Sequence, residues 1–258
     1  MIVIQSPDEW KEIRKTISDS GFVPTMGNLH AGHASLLTRA KKENAVSILS
    51  IFINPTQFND KKDYERYPKT LANDLHIAEQ CGVDYVFVPN KEDMYPDKAV
   101  YQIAENDISL LLEGKHRPGH FSGVLTIVMK LFSLIQPTRA YFGEKDYQQL
   151  QLVKGLVTAF FLDIEIIACP TVRQDNGLAL SSRNTLLNAA ELTLAAQLSN
   201  FLLSGLDEAS IRTKLGDLGF EVEYIEKWQQ RLLAAVKIGN IRLIDNIALT
   251  GESSCSCV

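Results

Sequence analysis

The stretch Pro24-Thr-Met-Gly-Asn-Leu-His-Ala-Gly-His33 decides how the rest of the chain is interpreted. Apolar residues at 22–23 lead into it and helix-forming residues at 34–43 follow it, so the pattern indicates a strand, a tight turn and a helix start. Gly27 and Gly32 let the main chain turn sharply and let a ligand approach it closely. Because a helix N-terminus presents unpaired N–H groups and a positive dipole end, the stretch predicts a phosphate-binding turn.

Two histidines give this turn its chemistry. His30 and His33 stand three residues apart, a spacing that places both imidazoles on the same side of the first helical turn. A helix-capping pair stays open as the structural alternative. A zinc site would need cysteine or carboxylate partners at close spacing, which the turn lacks, so we predict no protein-bound metal here. The glycine context favours two imidazoles directed at a bound phosphate.

Composition excludes several classes of function. The chain has 258 residues, 45% of them hydrophobic and 22% charged, which is typical of a globular protein of one or two domains. A net charge of −5 excludes a basic field that would gather nucleic acid or an anionic membrane. The most apolar run, residues 123–135, is too short to span a bilayer. With no signal peptide and no disulfide framework among four scattered cysteines, we expect a cytoplasmic protein without nucleic-acid or membrane partners.

Strand and helix patterns alternate through the first two-thirds of the chain. Strands are predicted at residues 1–4, 22–25, 45–53, 83–88, 139–142 and 164–168, and helices at 8–18, 34–43, 70–81, 107–112, 123–135 and 147–160. The alternation predicts an α/β fold with a Rossmann-like parallel sheet and helices on both faces. Because ligands bind at the carboxyl ends of such strands, we expect the loops carrying His30 and His33, Asn54 and Gln57, and residues 143–146 to converge.

The last third of the chain has a different arrangement of predicted helices and strands. A turn at 174–177, helices at 189–203 and 211–218, and strands at 221–224 and 241–248 indicate a small α+β domain. We therefore predict two domains, residues 1–171 and 172–258. The end of the chain, residues 251–258 with Cys255 and Cys257, has the composition of a disordered tail.

Five sequence blocks carry a family resemblance. The H-x-G-H pattern at a strand-to-helix turn resembles the nucleotidyltransferase and class I synthetase superfamily, whose members bind ATP there and transfer adenylate. Together with SIFINPTQF (50–58), EGKHRPGHF (113–121), YFGEKDYQQ (141–149) and LALSSRN (178–184), the opening stretch is similar to the pantothenate synthetase (pantoate–β-alanine ligase) family, in the family's order.

The resemblance implies a reaction and its participants. ATP would activate (R)-pantoate as pantoyl adenylate with release of pyrophosphate, and β-alanine would then displace AMP to give pantothenate. Mg²⁺ would be held mainly by the ATP phosphates, the C-terminal domain would act as a lid over the site, and the enzyme would be a homodimer.

The resemblance also assigns residues to each step. The catalytic residues would be His33, His30, Lys145 and Arg183. Pantoate would be bound by Gln57 and Gln149, and β-alanine by Gln57. ATP binding falls on Met26, Gly27, Asn28, Leu29, His30, Ala31, Gly32, His33, Gly143, Glu144, Lys145, Asp146, Val172, Leu180, Ser181, Ser182 and Arg183. Asn54, Tyr67 and Arg117 are secondary candidates, and Ala31 and Lys69 depart from the usual Glu and Arg of the family.

Several alternatives stay open from the sequence. Residues 143–146 have the composition of a solvated surface turn, and Ser181 and Ser182 are typical of a helix N-cap as well as of a phosphate loop. A related adenylyltransferase could use the same fold, although Gln57 and Gln149 suit a small hydroxy acid better than a nucleotide base. A non-catalytic nucleotide-binding module would have little use for two histidines together with Lys145 and Arg183.

Overall fold

The computed structural model describes residues 1–249, so the predicted disordered tail at 251–258, with Cys255 and Cys257, lies outside the described residues. The chain forms two compact units. The first comprises Met1–Val172 and Leu180–Ser182, and the second comprises Arg173–Ala179 and the residues from Arg183 onward. The functional division into residues 1–171 and 172–258 stays a prediction.

The first unit is built on a six-stranded sheet in the order β1-β4-β3-β2-β5-β6, in which every neighbouring pair is parallel. This confirms the predicted Rossmann-like sheet. Its strands are β1 (Ile2–Ile4), β2 (Ser20–Thr25), β3 (Val46–Ile51), β4 (Tyr85–Phe87), β5 (Arg139–Gly143) and β6 (Glu165–Cys169).

Helices cover both faces of this sheet. They are α1 (Pro7–Ile13), α2 (Ala31–Glu43), α3 (Lys61–Arg66), α4 (Leu71–Gln80), α5 (Lys91–Met94), α6 (Leu112–His116), α7 (His120–Ile135) and α8 (Tyr147–Ala159). Successive strand residues point to opposite faces. Phe22 accordingly packs in one buried cluster with Phe132 of α7, whereas Val23 packs in another with Leu37 of α2 and Ala78 of α4. The carboxyl ends of β2, β3 and β5 are thus held at one edge between two hydrophobic layers.

The predicted helix at 107–112 is wrong. The chain forms a 3₁₀ turn at Ile108–Leu110, and α6 begins only at Leu112. The buried Gln148 side chain contributes to the difference, because its Nε2 donates to the carbonyl oxygens of Ile108 (2.7 Å) and Leu111 (2.9 Å). The same carbonyls also accept the main-chain N–H groups of Leu111 (3.2 Å) and Gly114 (2.8 Å), so Gln148 supports two short turns that the left-handed Leu112 (φ +45°) keeps from joining into one helix.

The second unit packs two helices on an antiparallel sheet. Its helices are α9 (Ala189–Leu202) and α10 (Glu208–Asp217), and its sheet has the order β7-β8-β9, with β7 (Glu221–Trp228), β8 (Arg231–Ile238) and β9 (Ile241–Ala248). The sequence did not predict the central strand β8. Its residues 232–236 are all buried, so the alternation of apolar and polar residues that identifies a half-exposed strand is absent.

An ion pair secures the start of the second unit. The Nη1 and Nη2 atoms of Arg173 donate to the buried carboxylate of Asp245 at 2.6 and 2.8 Å. Arg173 also donates to the carbonyl oxygen of Gly177 at 3.0 Å, and the predicted turn before Gly177 closes with its N–H on the Gln174 carbonyl at 2.9 Å. This bidentate contact holds the turn onto the sheet of its own unit.

Across residues 1–249, no helix combines the length and apolar character that crossing a bilayer requires.

Candidate active site

The turn between β2 and α2 is fixed by its own sequence. The main chain adopts a left-handed conformation at Gly27 (φ +83°) and again at Asn28 (φ +51°). A Cβ atom at position 27 would lie 2.9 Å from the Asp74 carboxylate, so the site requires glycine. Helix α2 begins at Ala31, three residues before the predicted start at residue 34, with His30 as its N-cap.

Both histidines of this turn have a defined tautomer. The Nδ1 atom of His30 accepts the N–H of Gly32 at 3.1 Å, and the Nδ1 atom of His33 accepts the N–H of His30 at 3.3 Å. Since each Nδ1 is an acceptor, each neutral ring carries its proton on Nε2. The two ring centroids are 4.1 Å apart. The capping alternative is therefore correct as far as Nδ1 is concerned, and it leaves two adjacent Nε2–H donors.

Both imidazoles are neutral at physiological pH. Burial, the neighbouring His30 ring and the charge of Lys145 together lower the pKa of His33 to about 3. Burial also lowers the pKa of His30 to about 4, with Lys145 adding to the effect and Asp146 opposing it. The loop after β5 lies next to the turn after β2, since β5 and β2 are neighbouring parallel strands of the sheet.

The loop after β5 is not the solvated turn that its composition allowed. Residues Glu144–Asp146 form a 3₁₀ turn that leads directly into α8. The Lys145 side chain is only 18% exposed, and its Nζ lies 3.9 Å from the Asp146 carboxylate, which is 49% exposed. A partly desolvated ammonium group at this edge is suited to hold a phosphate as a compact positive charge.

The turn after β3 contacts the turn after β2. The Nε2 of Gln57 donates to the Sδ of Met26 at 3.1 Å, and the Oε1 of Gln57 accepts from Nδ2 of the buried Asn54 at 3.0 Å. Asn54 is itself fixed, because its Nδ2 also donates to the Gly123 carbonyl (3.1 Å) and its Oδ1 accepts from the Tyr95 hydroxyl (2.7 Å). The amide of Gln57 therefore has one orientation, with its N–H₂ group towards the β2 turn.

The start of α7 holds the main chain of the turn after β3. The Nδ1–H of His120 donates to the Gln57 carbonyl at 2.8 Å, and Arg117 Nη1 donates to Nε2 of the same imidazole at 3.1 Å. Burial lowers the pKa of His120 to about 4, and the neighbouring Arg117 charge acts in the same direction. A Cβ at Gly123 would collide with the Thr56 carbonyl, so glycine permits the close approach. His120 thus acts as a neutral donor that positions Gln57.

The loop of residues 180–182 reaches the β2 turn within the first unit. Ser182 Oγ donates to the Asn28 carbonyl at 3.2 Å, and Asn28 Nδ2 donates to the Ser182 carbonyl, also at 3.2 Å. Leu180 pairs with Val172 through an N–H to carbonyl bond of 3.0 Å. Ser182 opens a 3₁₀ turn, Ser182–Leu186, while the next α-helix is capped by Asn188. Ser181 directly precedes this 3₁₀ turn, so the N-cap alternative for the two serines stays open.

Other predicted residues are placed less directly. Arg183 follows Ser182 in the chain but belongs to the second unit. Gln149 is half-buried in the first turn of α8, and no hydrogen bond joins it to Gln57 in the described residues. The Tyr67 ring packs edge-on against Phe58 at 5.8 Å.

Sequence reasoning missed two supporting residues. Asp74 falls within the predicted helix at 70–81, and the sequence assigns no role to His120. The sole signal for His120 was its place in the EGKHRPGHF block, and Asp74 had none beyond being an acid in a first helical turn. Within residues 1–249, no three His, Cys, Asp or Glu side chains gather into a cluster that could hold a metal.

Comparison with known proteins identifies the family. The sequence matches the profile described as pantoate–β-alanine ligase over residues 2–248. A pantothenate synthetase from Legionella pneumophila (strain Corby) is 53% identical over 252 residues, which make up 96% of this chain and 100% of that protein. A pantothenate synthetase from Coxiella burnetii (strain RSA 331 / Henzerling II) is 54% identical over 255 residues, 98% of this chain and 99% of that protein.

A solved structure agrees at the level of the fold. The crystal structure of pantoate–β-alanine ligase from Francisella tularensis, complexed with Beta-gamma ATP and β-alanine, has a TM-score of 0.92 and 43% sequence identity. The match covers 98% of this chain and 99% of that one. The chain therefore belongs to the pantoate–β-alanine ligase family.

Proposed function

We propose that this protein condenses (R)-pantoate with β-alanine at the expense of ATP. A pantoate carboxylate oxygen attacks the α-phosphorus, and the bond to pyrophosphate breaks. The amine of β-alanine then attacks the acyl carbon of pantoyl adenylate, loses a proton and expels AMP. The observation that carries the proposal is the pair of Nε2–H donors beside Lys145 in a chain that matches the family over residues 2–248.

The phosphate half of the site would act by electrostatic stabilisation. Negative charge develops on the bridging oxygen and on pyrophosphate in the first step, and donors already aimed at those oxygens lower its barrier. With a pKa of about 3, His33 is neutral, so we assign it hydrogen bonding through Nε2–H instead of delivery of a full proton. His30 would serve as the second donor and Lys145 as the point charge.

The remaining nucleotide contacts are proposals from the family pattern. Residues 26–33, 143–146, Val172 and 180–183 would surround ATP, with Arg183 joining Lys145 as a second cation on the phosphates. A guanidinium group binds phosphate oxygens through two parallel N–H bonds, which suits that role. Mg²⁺ would arrive with ATP and be held mainly by its phosphates.

The pantoate half of the site would use amides. Gln57 and Gln149 can bind the pantoate hydroxyl and carboxylate without adding a charge that would quench the nucleophile. The fixed amide of Gln57, with Oε1 held by Asn54, supports a donor role for its N–H₂ group. Gln57 would also lie beside β-alanine, and the second unit would act as a lid that keeps water from the adenylate.

Two further expectations concern the cellular location and the oligomeric state of the protein. We propose a cytoplasmic enzyme, which is consistent with Cys81 and Cys169 being unpaired thiols in the described residues. A homodimer stays a prediction from the family, and sedimentation equilibrium would test it.

Release of AMP tests the reaction directly. AMP should form from ATP only when pantoate and β-alanine are both present, and each should give no more than background when the other is omitted. AMP transfer to a nucleotide substrate would favour the adenylyltransferase alternative. ATP binding without turnover would favour the non-catalytic module.

A further inference from the structure

A buried carboxylate outside the predicted site holds the β2 turn. Asp74 lies in the first turn of α4 and is 1% exposed. Its Oδ2 accepts the N–H of Asn28 at 3.0 Å, and its Oδ1 accepts the N–H of Leu29 at 2.8 Å. The Thr70 hydroxyl donates to the same carboxylate at 3.1 and 3.2 Å. Both oxygens therefore accept hydrogen bonds from the protein itself.

Burial of this charge needs a reason. A carboxylate removed from water is costly unless its lone pairs are satisfied, and two of the three donors here are main-chain N–H groups of one turn. A neutral side chain at position 74 would have filled this buried space at a lower desolvation cost. The carboxylate instead contributes charge-assisted hydrogen bonds to a segment in which two successive residues are left-handed.

The strain lies in the residues that Asp74 holds. Asn28 is a left-handed non-glycine residue, and it directly follows the left-handed Gly27. Asn28 also exchanges two hydrogen bonds with Ser182, and the chain continues through Leu29 to the N-cap His30. A change in the Asn28 conformation would therefore displace both the loop of residues 180–182 and the imidazoles of His30 and His33.

We propose that Asp74 is a positioning residue for the phosphate half of the site. Its carboxylate fixes the turn before ATP arrives, so that the Nε2–H donors of His30 and His33 and the Ser182 loop are already placed for the triphosphate. Asp74 does not touch the reacting atoms. The inference rests on the proposed ligase function and extends it.

Kinetics of pantoate-dependent exchange of pyrophosphate into ATP test the role of Asp74. Asp74→Asn keeps the size of the side chain but removes the charge and one acceptor oxygen. We expect kcat/KM for ATP to fall by about tenfold to a hundredfold, as for small displacements of catalytic groups, while the pantoate KM changes by less than about threefold.

Asp84→Asn is the matched control. Asp84 also accepts a main-chain N–H, that of Ser47 at 2.8 Å, but it precedes β4 at the opposite edge of the sheet. The control should lower the thermal midpoint without changing either KM by more than about twofold. A merely structural role for Asp74 would give the two variants the same kinetic profile.

Thr70→Val provides a milder variant if Asp74→Asn fails to fold. It removes one donor to the carboxylate, and we expect the same selective loss of ATP affinity at about threefold. A folded Thr70→Val enzyme with unchanged ATP kinetics, or an Asp74→Asn enzyme that loses ATP and pantoate affinity equally, would overturn the proposal. Absence of exchange in the unmodified enzyme would instead contradict the ligase function.

Discussion

Two neighbouring strand-end turns are held by different chemistry. The turn after β2 rests on the charged carboxylate of Asp74, which accepts two main-chain N–H groups. The turn after β3 is held by the imidazole of His120 and the amide of Asn54, and the guanidinium of Arg117 donates to the same Gln57 carbonyl at 3.4 Å. The two turns contact each other through Gln57 and Met26.

This difference matches the two substrates that we assign to the turns. A triphosphate needs N–H donors and cations, so an anion can be placed behind the β2 turn to hold it without meeting the ligand. Pantoate must attack with its own carboxylate, and a second carboxylate directly behind the β3 turn would repel it; an amide, an imidazole and a guanidinium support that turn instead. Because different side chains hold the two turns, a substitution can disturb one turn without disturbing the other.

Replacing His33 should have the largest effect. His33→Ala removes an Nε2–H donor, and we expect the rate of adenylate formation to fall by about 10²- to 10³-fold, as for the loss of one donor to a developing oxyanion. The exchange assay measures this rate, and circular dichroism checks the fold. The exposed His116 supplies the control, since His116→Ala should retain full activity. Near-normal activity of His33→Ala would remove it from the mechanism.

Acid should destabilise the protein through its buried histidines. The folded pKa values of His33 (about 3) and His30 (about 4) lie below the unfolded value of 6.5, so below pH 6.5 the unfolded chain binds protons that the folded chain does not. The free energy of unfolding should therefore fall as the pH drops from 6.5 towards 4, by up to about 2 kcal/mol per histidine at pH 5.

Urea unfolding at pH 7 and pH 5 measures this loss. His33→Ala should show a smaller difference between the two pH values than the unmodified protein, whatever its stability at pH 7. An equal difference in both proteins would mean that His33 titrates normally in the folded state.

Adjacent glutamines should separate binding from structure. Gln149→Ala should raise the pantoate KM about tenfold with no change in the ATP KM, since an amide contact to the substrate is lost. Gln148→Ala should instead lower the thermal midpoint, because Gln148 holds the Ile108 and Leu111 carbonyls. An effect of Gln149→Ala confined to ATP would contradict the assignment.

Replacing His120 should have the smallest effect on catalysis. His120→Ala removes the donor to the Gln57 carbonyl, and we expect the pantoate KM to rise about fivefold while the ATP KM stays within twofold. His120→Asn places an amide N–H near the position of Nδ1–H and should recover most of the loss. If Ala and Asn behave alike, the imidazole contributes packing and no hydrogen bond.

Sequence patterns predicted the parts of this protein that are local in the chain. The turn at 24–33 and the alternation of strands and helices were enough for the parallel sheet, because each signal lies within one element. The start of α2 was placed three residues late, since capping by His30 Nδ1 depends on a rotamer that no sequence pattern reports.

Long-range contacts explain what the sequence did not predict. Asp74 is distant in the chain from the turn it holds, and Gln148 supports, from another element, the two short turns that replace a predicted helix at 107–112. Strand β8 lacks alternation because its central residues are all buried. Each of these features depends on which segments meet in three dimensions.

Exchange of labelled pyrophosphate into ATP, with pantoate present and β-alanine absent, tests the central claim most directly. We predict exchange that saturates with pantoate and disappears without it, because the β2 and β3 turns together form the adenylate before the amine is needed. Exchange that requires β-alanine, or that proceeds without pantoate, would contradict the two-substrate division of the turns.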